Sequence, residues 1–246
     1  MEYRTQTLIW MLGSLLIIVM MLVWLSISRN GPVGSYTAHD FVTYYLVGLL
    51  VRQMTAVWSS WELEAQIREG RLSPMLLRPI HPIHNEIAAN WTEKIPRIII
   101  LVPLITLLLQ LLPHTPIEFT PINSVTFLIS LFGAWLLCFL LDYLVGMLAF
   151  WTSQALAFIQ IVFALRMVFS GVLIPTELLP DQMNRVLHWL PFRYMLSFSS
   201  EIALGRVQPD TLLECLSIQY GWALLFGISV GLVWRRGMRS YGAVGA

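Results

Sequence analysis

Gly227-Ile228-Ser229-Val230-Gly231 reproduces the G-x-S-x-G pattern that carries the nucleophilic serine of many hydrolases. That chemistry needs a strand-turn-helix to present the hydroxyl and a histidine to take its proton. Ser229 instead falls midway through an apolar run, and His39, His81, His84, His114 and His188 all lie in polar segments or at the ends of apolar ones. Gly227 and Gly231 therefore read as a small-xxx-small surface for close helix packing. His81 and His84 are close enough to share a metal, but no HExxH motif or cysteine cluster completes a ligand set, so no metal is expected and both read as solvated loop residues. Cys138 and Cys215 fall at different depths of their apolar runs, a mismatch that disulfide geometry does not span, and read as packing residues. No catalytic residue is assigned.

Phosphate chemistry is tested the same way. A Walker A loop needs Gly-Lys-Ser/Thr, so that backbone amides cradle phosphate while the lysine reaches the terminal groups. The chain has one lysine, Lys94, in Trp91-Thr92-Glu93-Lys94-Ile95, with no glycine loop before it. No cofactor is expected on this chain, and any ATP-driven step belongs to another polypeptide.

The elements that hold these residues follow from composition. Of 246 residues, 57% are hydrophobic and 12% charged, and the mean hydropathy is +0.70. A soluble domain carries about 25% charged residues, so an ordinary soluble enzyme is excluded. Disorder is excluded by the same balance, and a net charge of +1 gives no reason to expect a nucleic-acid partner. Runs of about 20 apolar residues are long enough to cross a bilayer. They predict an all-α integral membrane protein with six spans, at about residues 8–27, 41–61, 95–112, 122–144, 149–173 and 215–234, in a single domain over 1–246. The first run is too long for a signal-peptide core and no small-residue cleavage site follows it, so it reads as a retained span. An even number of spans puts both termini on one side. Nine Lys and Arg residues, from Arg4 to Arg239, then share that side, against Arg29, Arg185, Arg193 and Arg206 opposite, which places the termini in the cytoplasm. Acidic residues such as Asp40, Glu118 and Glu177 fall outside, and tryptophans gather at both interfaces, Trp10 and Trp234 inside, Trp24 and Trp189 outside.

Arg52, Asp142 and Arg166 interrupt apolar runs. A charge at the bilayer centre costs on the order of 2.5–3.5 kcal/mol or more, so each should face a cavity or a partner. Counted from the outer boundary at about 1.5 Å per residue, Arg52 lies roughly 16 Å deep and Asp142 roughly 30 Å, a gap that snorkelling closes only in part. Asp142 thus reads as an inner-interface residue. Arg166 is expected nearer the outer surface, where pairing with Glu177 or reaching water competes with binding an anionic group.

Two polar stretches remain. Residues 62–94 carry Glu62, Glu64, Arg68, Glu69 and Arg71 at helical spacing, Gly70 as a stop or kink, and an apolar patch from Leu72 to Leu77 before Pro79 and Pro82. This is a short amphipathic helix on the inner face. Its mixed charge suits a docking element for a cytoplasmic protein better than a helix resting on anionic lipid, which is usually rich in Lys and Arg alone. Residues 175–214 predict a helix from Pro180-Asp181 to Pro191 and another from Ser197 to Leu204, a re-entrant pair dipping from the outer face.

Taken in order, Glu2-Tyr3-Arg4 leading into Leu8–Leu16, Ile67-Arg68-Glu69-Gly70-Arg71-Leu72, Leu76-Leu77-Arg78-Pro79, Phe150-Trp151, Ser170-Gly171-Val172-Leu173-Ile174-Pro175, Leu190-Pro191-Phe192 and Trp234-Arg235-Arg236-Gly237 resemble the permease subunits of type-2 ATP-binding-cassette exporters (ABC-2 type), within a short six-span bacterial branch. The resemblance implies a two-fold dimer with a second permease chain, the same or related, and two cytoplasmic ATPase subunits that carry ATP and Mg. It makes Glu62, Glu64, Arg68, Glu69, Gly70, Arg71 and Leu72 a coupling helix, and Gly171, Pro175, Pro180, Pro191 and Phe192 part of an outer gate. It places the chain in the cytoplasmic membrane. The amphipathic elbow helix of the family has little room before residue 8, so the elbow is shortened or the start lies upstream. Two other classes stay open on the residues alone: an integral-membrane enzyme, which needs converging catalytic groups, and a non-transporting membrane scaffold.

Overall fold

The computed structural model describes residues 2–117 and 120–242, with side chains from Leu15 onward; the side chains of Arg4 and Trp10, and all of Glu118, lie outside the described residues. The helices run α1 (Glu2–Ile27), α2 (Ala38–Thr55), α3 (Ser59–Arg68), α4 (Leu72–Leu76), α5 (Pro82–Leu111), α6 (Pro121–Gly146), α7 (Ala155–Phe169), α8 (Asp181–Trp189), α9 (Ser197–Ala203) and α10 (Pro209–Ser240). The chain is 79% helical, with no strand among the described residues.

Local chemistry sets the helix starts. Thr37 and Asp40 form a capping box on α2: the Thr37 N–H donates to Asp40 Oδ2 at 2.8 Å, and the Asp40 N–H donates to Thr37 Oγ1 at 3.3 Å. Helices α5, α6 and α10 each start on a proline, whose missing N–H has no partner to lose in the first turn. These three are long and apolar enough to cross a membrane, α6 when taken with the turn to Phe150. The apolar stretches Leu15–Asn30 and Ala155–Phe169 are shorter.

Helix bounds depart from the expected spans at three places. Residues 41–61 are not one helix, because Ala56 turns extended (φ −62°, ψ 122°) and α3 starts afresh at Ser59. The carbonyl freed at this break is satisfied from α5, since Lys94 Nζ and Asn90 Nδ2 each donate to Ala56 O at 3.0 Å. Helix α5 begins at Pro82 rather than near 95, so Lys94 is a buried helical residue and not part of a loop. Helix α7 has 15 residues, about 22 Å at 1.5 Å per residue, and falls short of the hydrocarbon thickness.

Helix α6 is the hub, packed against α2, α3, α7, α9 and α10. Its residues Trp135, Phe139 and Tyr143, four apart, share one face and stack in sequence, with ring centroids 5.7 and 6.0 Å apart. Trp234 of α10 continues the column 6.2 Å from Tyr143. A second core lies between α1, α2 and α5 around Phe41, Tyr44, Tyr45, Leu101 and Ile105. Outward faces carry exposed apolar side chains, including Ile99, Leu107, Val125, Phe132, Leu224 and Ile228, as a surface facing lipid does.

The close helix approaches do not involve Gly227 and Gly231. A Cβ on Gly227 would come no nearer than 3.9 Å to Leu140, and one on Gly231 would meet nothing within 4 Å. The tight contacts fall on Gly146, where a Cβ would lie 2.9 Å from the Ser60 backbone, on Gly133, where it would lie 2.7 Å from Gln219, and on Gly237, where it would collide with the Phe150 ring. Among the described residues Gly227 makes only an ordinary contact with Leu140 of α6, and the exposed Gly231 meets no other helix.

Candidate functional site

At the end of the bundle where α3, α4 and the close of α10 meet, the charged residues form a linked set. Arg68 Nε donates to Glu64 Oε1 at 2.8 Å, with Glu64 buried and Arg68 outside it. Arg71 Nε donates to Glu69 Oε2 at 2.8 Å and Arg71 Nη1 to Glu62 Oε1 at 3.2 Å. The hydrogen bond to Glu69, with the charges of both glutamates, raises the Arg71 guanidinium above its ordinary pKa. Gly70 turns the chain at φ 73°, a conformation that glycine adopts without strain, and Leu72 anchors α4 with no exposed surface. Gln66 Nε2 donates to Glu86 Oε1 of α5 at 2.8 Å, and Ser73 Oγ pairs with Tyr241 Oη at 2.9 Å. Glu62, Arg68, Glu69 and Arg71 thus face outward beside exposed Leu77 and Ile80, while Glu64 and Leu72 hold the element from within. A cleft of about 640 Å³ opens between α3 and α5, lined by Trp58, Trp61, Glu62, Glu86 and Glu93 among others. The His81 ring lies tilted against Trp234 at 4.5 Å, and burial, followed by the nearby His84, lowers its pKa, so His81 is not simply a solvated loop side chain, while His84 is an exposed residue in the first turn of α5.

Further into the bundle, Arg166 Nη1 donates to Asp142 Oδ1 at 2.5 Å, both side chains buried. Arg166 therefore pairs with neither Glu177 nor open water. Counting depth along a straight span misplaced it. Helix α7 is short and set low, with Phe163 within 6.1 Å of Trp61 of α3, so its last turn reaches only the level of Asp142. Arg52 lies over the Phe163 ring at 5.8 Å and is not bonded to Asp142, though it feels the charges of Asp142 and Arg166. The structure thus brings all three intramembrane ionisable residues to one junction of α2, α6 and α7.

At the opposite end, residues 170–178 form a strap of bends that closes in a 3₁₀ turn. Tyr44 Oη donates to Gly171 O at 3.0 Å, while Tyr45 Oη (3.0 Å) and Trp24 Nε1 (2.9 Å) donate to Leu173 O. Gly171 takes φ 95°, and a Cβ there would collide with the Tyr44 hydroxyl and lie 2.8 Å from Ser197 Cβ. Pro175 leads into a short 3₁₀ turn, Pro180 caps α8, and Phe192, beyond Pro191, packs 6.2 Å from Phe169. Behind the strap, Glu201 is fully buried and accepts from Ser197 Oγ (2.7 Å), Thr176 Oγ1 (2.9 Å) and Arg193 Nη2 (2.7 Å). Burial alone would lower the Arg193 pKa; the Glu201 carboxylate outweighs it and holds the guanidinium above its ordinary value. Arg206 ties the cap to the α1–α2 turn, 3.1 Å from Asp40, 3.4 Å from Glu177 and stacked 3.9 Å from the Tyr36 ring. Burial and the neighbouring Glu201 raise the Glu177 pKa.

Sequence reasoning missed Glu201, Arg206, Tyr44 and Lys94 as positioning residues. Glu201 and Arg206 were visible only as outer charges, and nothing in their spacing marks the partners they reach. Tyr44 and Tyr45 sit in an apolar run where a hydroxyl pair is a weak but readable sign of buried hydrogen bonding.

Long apolar helices around a shared core, ionisable groups drawn together inside them, and polar caps at both ends define a multi-pass all-α membrane protein. The chain matches the family described as ABC-2 family transporter protein over residues 8–245 and belongs to it. No curated protein and no solved structure matches the chain. The family is a transmembrane component that works with ATPase subunits rather than a hydrolase itself.

Proposed function

We propose that this chain is the permease subunit of an ATP-binding-cassette exporter that moves a hydrophobic or amphipathic cargo, such as a drug, lipid or peptide-like molecule, across the cytoplasmic membrane. Six crossings, by α1, α2, α5, α6, α7 with the strap after it, and α10, leave both termini in the cytoplasm. Two chains, the same or related, form the pathway between them, and two ATPase subunits hydrolyse Mg-bound ATP below. The observation that carries this reading is the α3–α4 element. Its outward charges are held rigid by Glu64, Gly70 and Leu72, and it is tied through Gln66–Glu86 and Ser73–Tyr241 to α5 and α10. A push on such an element is passed to two long helices rather than absorbed by a loop. The strap and Glu201 cap then act as the outer closure.

Co-purification tests the reading. The permease should come out of native membranes with a Walker-A-bearing ATPase, and the double substitution Glu69→Ala with Arg71→Ala should release it while the permease stays folded, because both side chains are exposed. A permease that purifies alone, or whose ATPase ignores the double substitution, would overturn it.

A further inference from the structure

Arg52 is the intramembrane charge without a counter-charge of its own. It sits eight residues along α2 from Tyr44, about 12 Å further from the outer strap at 1.5 Å per residue. Among the described residues its guanidinium makes no hydrogen bond and no ion pair, only the contact with Phe163 at 5.8 Å. It is partly exposed on the α2–α7 face, where a bare cation is costly unless something polar covers it.

Nothing in the apolar runs can supply that cover. They hold one acid, Asp142, which is buried and already bonded to Arg166. Lys94, whose charge also reaches the buried Cys138 beside this junction, adds a further cation, its own bonds spent on Ala56 O and Asn90 Oδ1. Two cations, Arg52 and Arg166, thus share one carboxylate, and Lys94 brings no acid to it. A second copy of the chain would bring the same excess and no spare acid. The surplus is also specific in shape, since a planar guanidinium presents forked donors that match a carboxylate or phosphate. The Phe163 ring beside it and the exposed Leu156, two turns before Phe163 on the same face of α7, offer apolar surface for a hydrocarbon tail.

We propose that Arg52, beside the Asp142–Arg166 pair, receives the acidic head group of an amphiphile, a carboxylate or a phosphate, at the α2–α7 face in the inner half of the membrane. This rests on the transporter reading for its purpose, and it narrows the cargo class to amphiphiles bearing an anionic group.

The test uses the full chain in nanodiscs of phosphatidylcholine. Binding of a nitroxide-labelled stearate is read by quenching of tryptophan emission, with Trp61→Phe identifying the local signal, because Trp61 lies 6.1 Å from Phe163. Laurate, dodecyl phosphate and dodecyltrimethylammonium then compete. The two anions should displace the probe at least about tenfold better than the cation, a preference that Arg52→Lys keeps and Arg52→Gln loses. Equal competition by the cation overturns the proposal, as does an Arg52→Gln protein that elutes as folded and binds like the wild type. Repeating the titration with phosphatidylglycerol in the disc separates the sources. Full displacement by it makes a membrane lipid the ligand, and no displacement makes it a free amphiphile; the anion site stands in both cases. The readout needs neither ATP nor transport, so loss of ATPase partnership would leave it intact, and ATP-driven export indifferent to Arg52 would sink the site alone.

Discussion

The Arg166 guanidinium meets the Asp142 carboxylate at 2.5 Å across 24 residues of chain, with Asp142 Oδ2 buried and without a hydrogen-bond partner among the described residues. A buried pair is weak evidence for stability as a pair, but removing one member strands the other in a low-dielectric site. Asp142→Asn and Arg166→Gln are each expected to destabilise the protein by about 3–5 kcal/mol, while Asp142→Leu with Arg166→Leu loses less than either single change. Denaturation of the reconstituted protein measures this. A double variant as unstable as the singles would contradict the pairing.

The strap after α7 depends on one backbone conformation. Gly171→Ala puts a Cβ against the Tyr44 hydroxyl and Ser197 while forcing φ 95° on an L-residue, whereas Gly205, at φ 67°, has nothing within 4 Å of its missing Cβ. Gly205→Ala should therefore carry only the backbone strain of about 1–2 kcal/mol. Gly171→Ala should add a packing cost of about 1–3 kcal/mol and loosen the Tyr44 and Ser197 bonds. Limited proteolysis of residues 170–178 separates the two: faster cleavage is expected for Gly171→Ala, and equal rates in both variants would show that the collision is harmless.

What the sequence made legible was chemistry that reports on itself locally. Membrane character follows from scarce charge. The short polar helix follows from the charge spacing from Glu62 to Arg68, with Gly70 as its stop. What it hid were meetings between distant segments. Arg166 and Asp142 were both conspicuous, yet the rule that assigns depth by counting residues presumes straight spans of equal start, and α7 is a short helix that starts low. The break at Ala56 was hidden for a similar reason. No proline or glycine marks it, and it is stabilised by Lys94 and Asn90 from a segment that read as loop. Gly227 and Gly231 have a spacing suited to packing, which by itself does not say which surface it meets.

That spacing still permits a sharp comparison. Gly146→Ala drives a Cβ to 2.9 Å from the backbone of Ser60, where no side-chain rotation relieves it, while Gly231→Ala meets nothing within 4 Å in the same chain. Gly146→Ala is expected to cost about 1–3 kcal/mol and to shift α3, and with it α4, away from α6. Gly231→Ala should leave the stability of a single chain unchanged or slightly improved, since alanine is the better helix former. Thermal unfolding and ATPase retention in pull-downs report both. A stable Gly146→Ala protein that keeps its ATPase would show that α3 moves freely against α6.

Glu177 gives the cap around Glu201 and Arg206 a dependence on pH. Burial, then the charge of Glu201, raises its pKa in the folded protein, with Arg206 at 3.4 Å opposing the shift only in part. The folded state therefore holds the Glu177 proton more tightly than the unfolded chain does. The stability this contributes is fully present below the ordinary glutamate value of about 4.3 and is lost as pH rises through the folded value. Glu177→Gln keeps the position neutral at every pH and should abolish that loss. Unfolding temperatures taken from pH 4 to pH 8 should show the wild type falling relative to Glu177→Gln as pH rises, most steeply just above the ordinary carboxylate range. If the difference stays flat, the carboxylate is not held in a burying environment. If it runs the other way, the Arg206 contact dominates and Glu177 is a stabilising anion rather than a strained one.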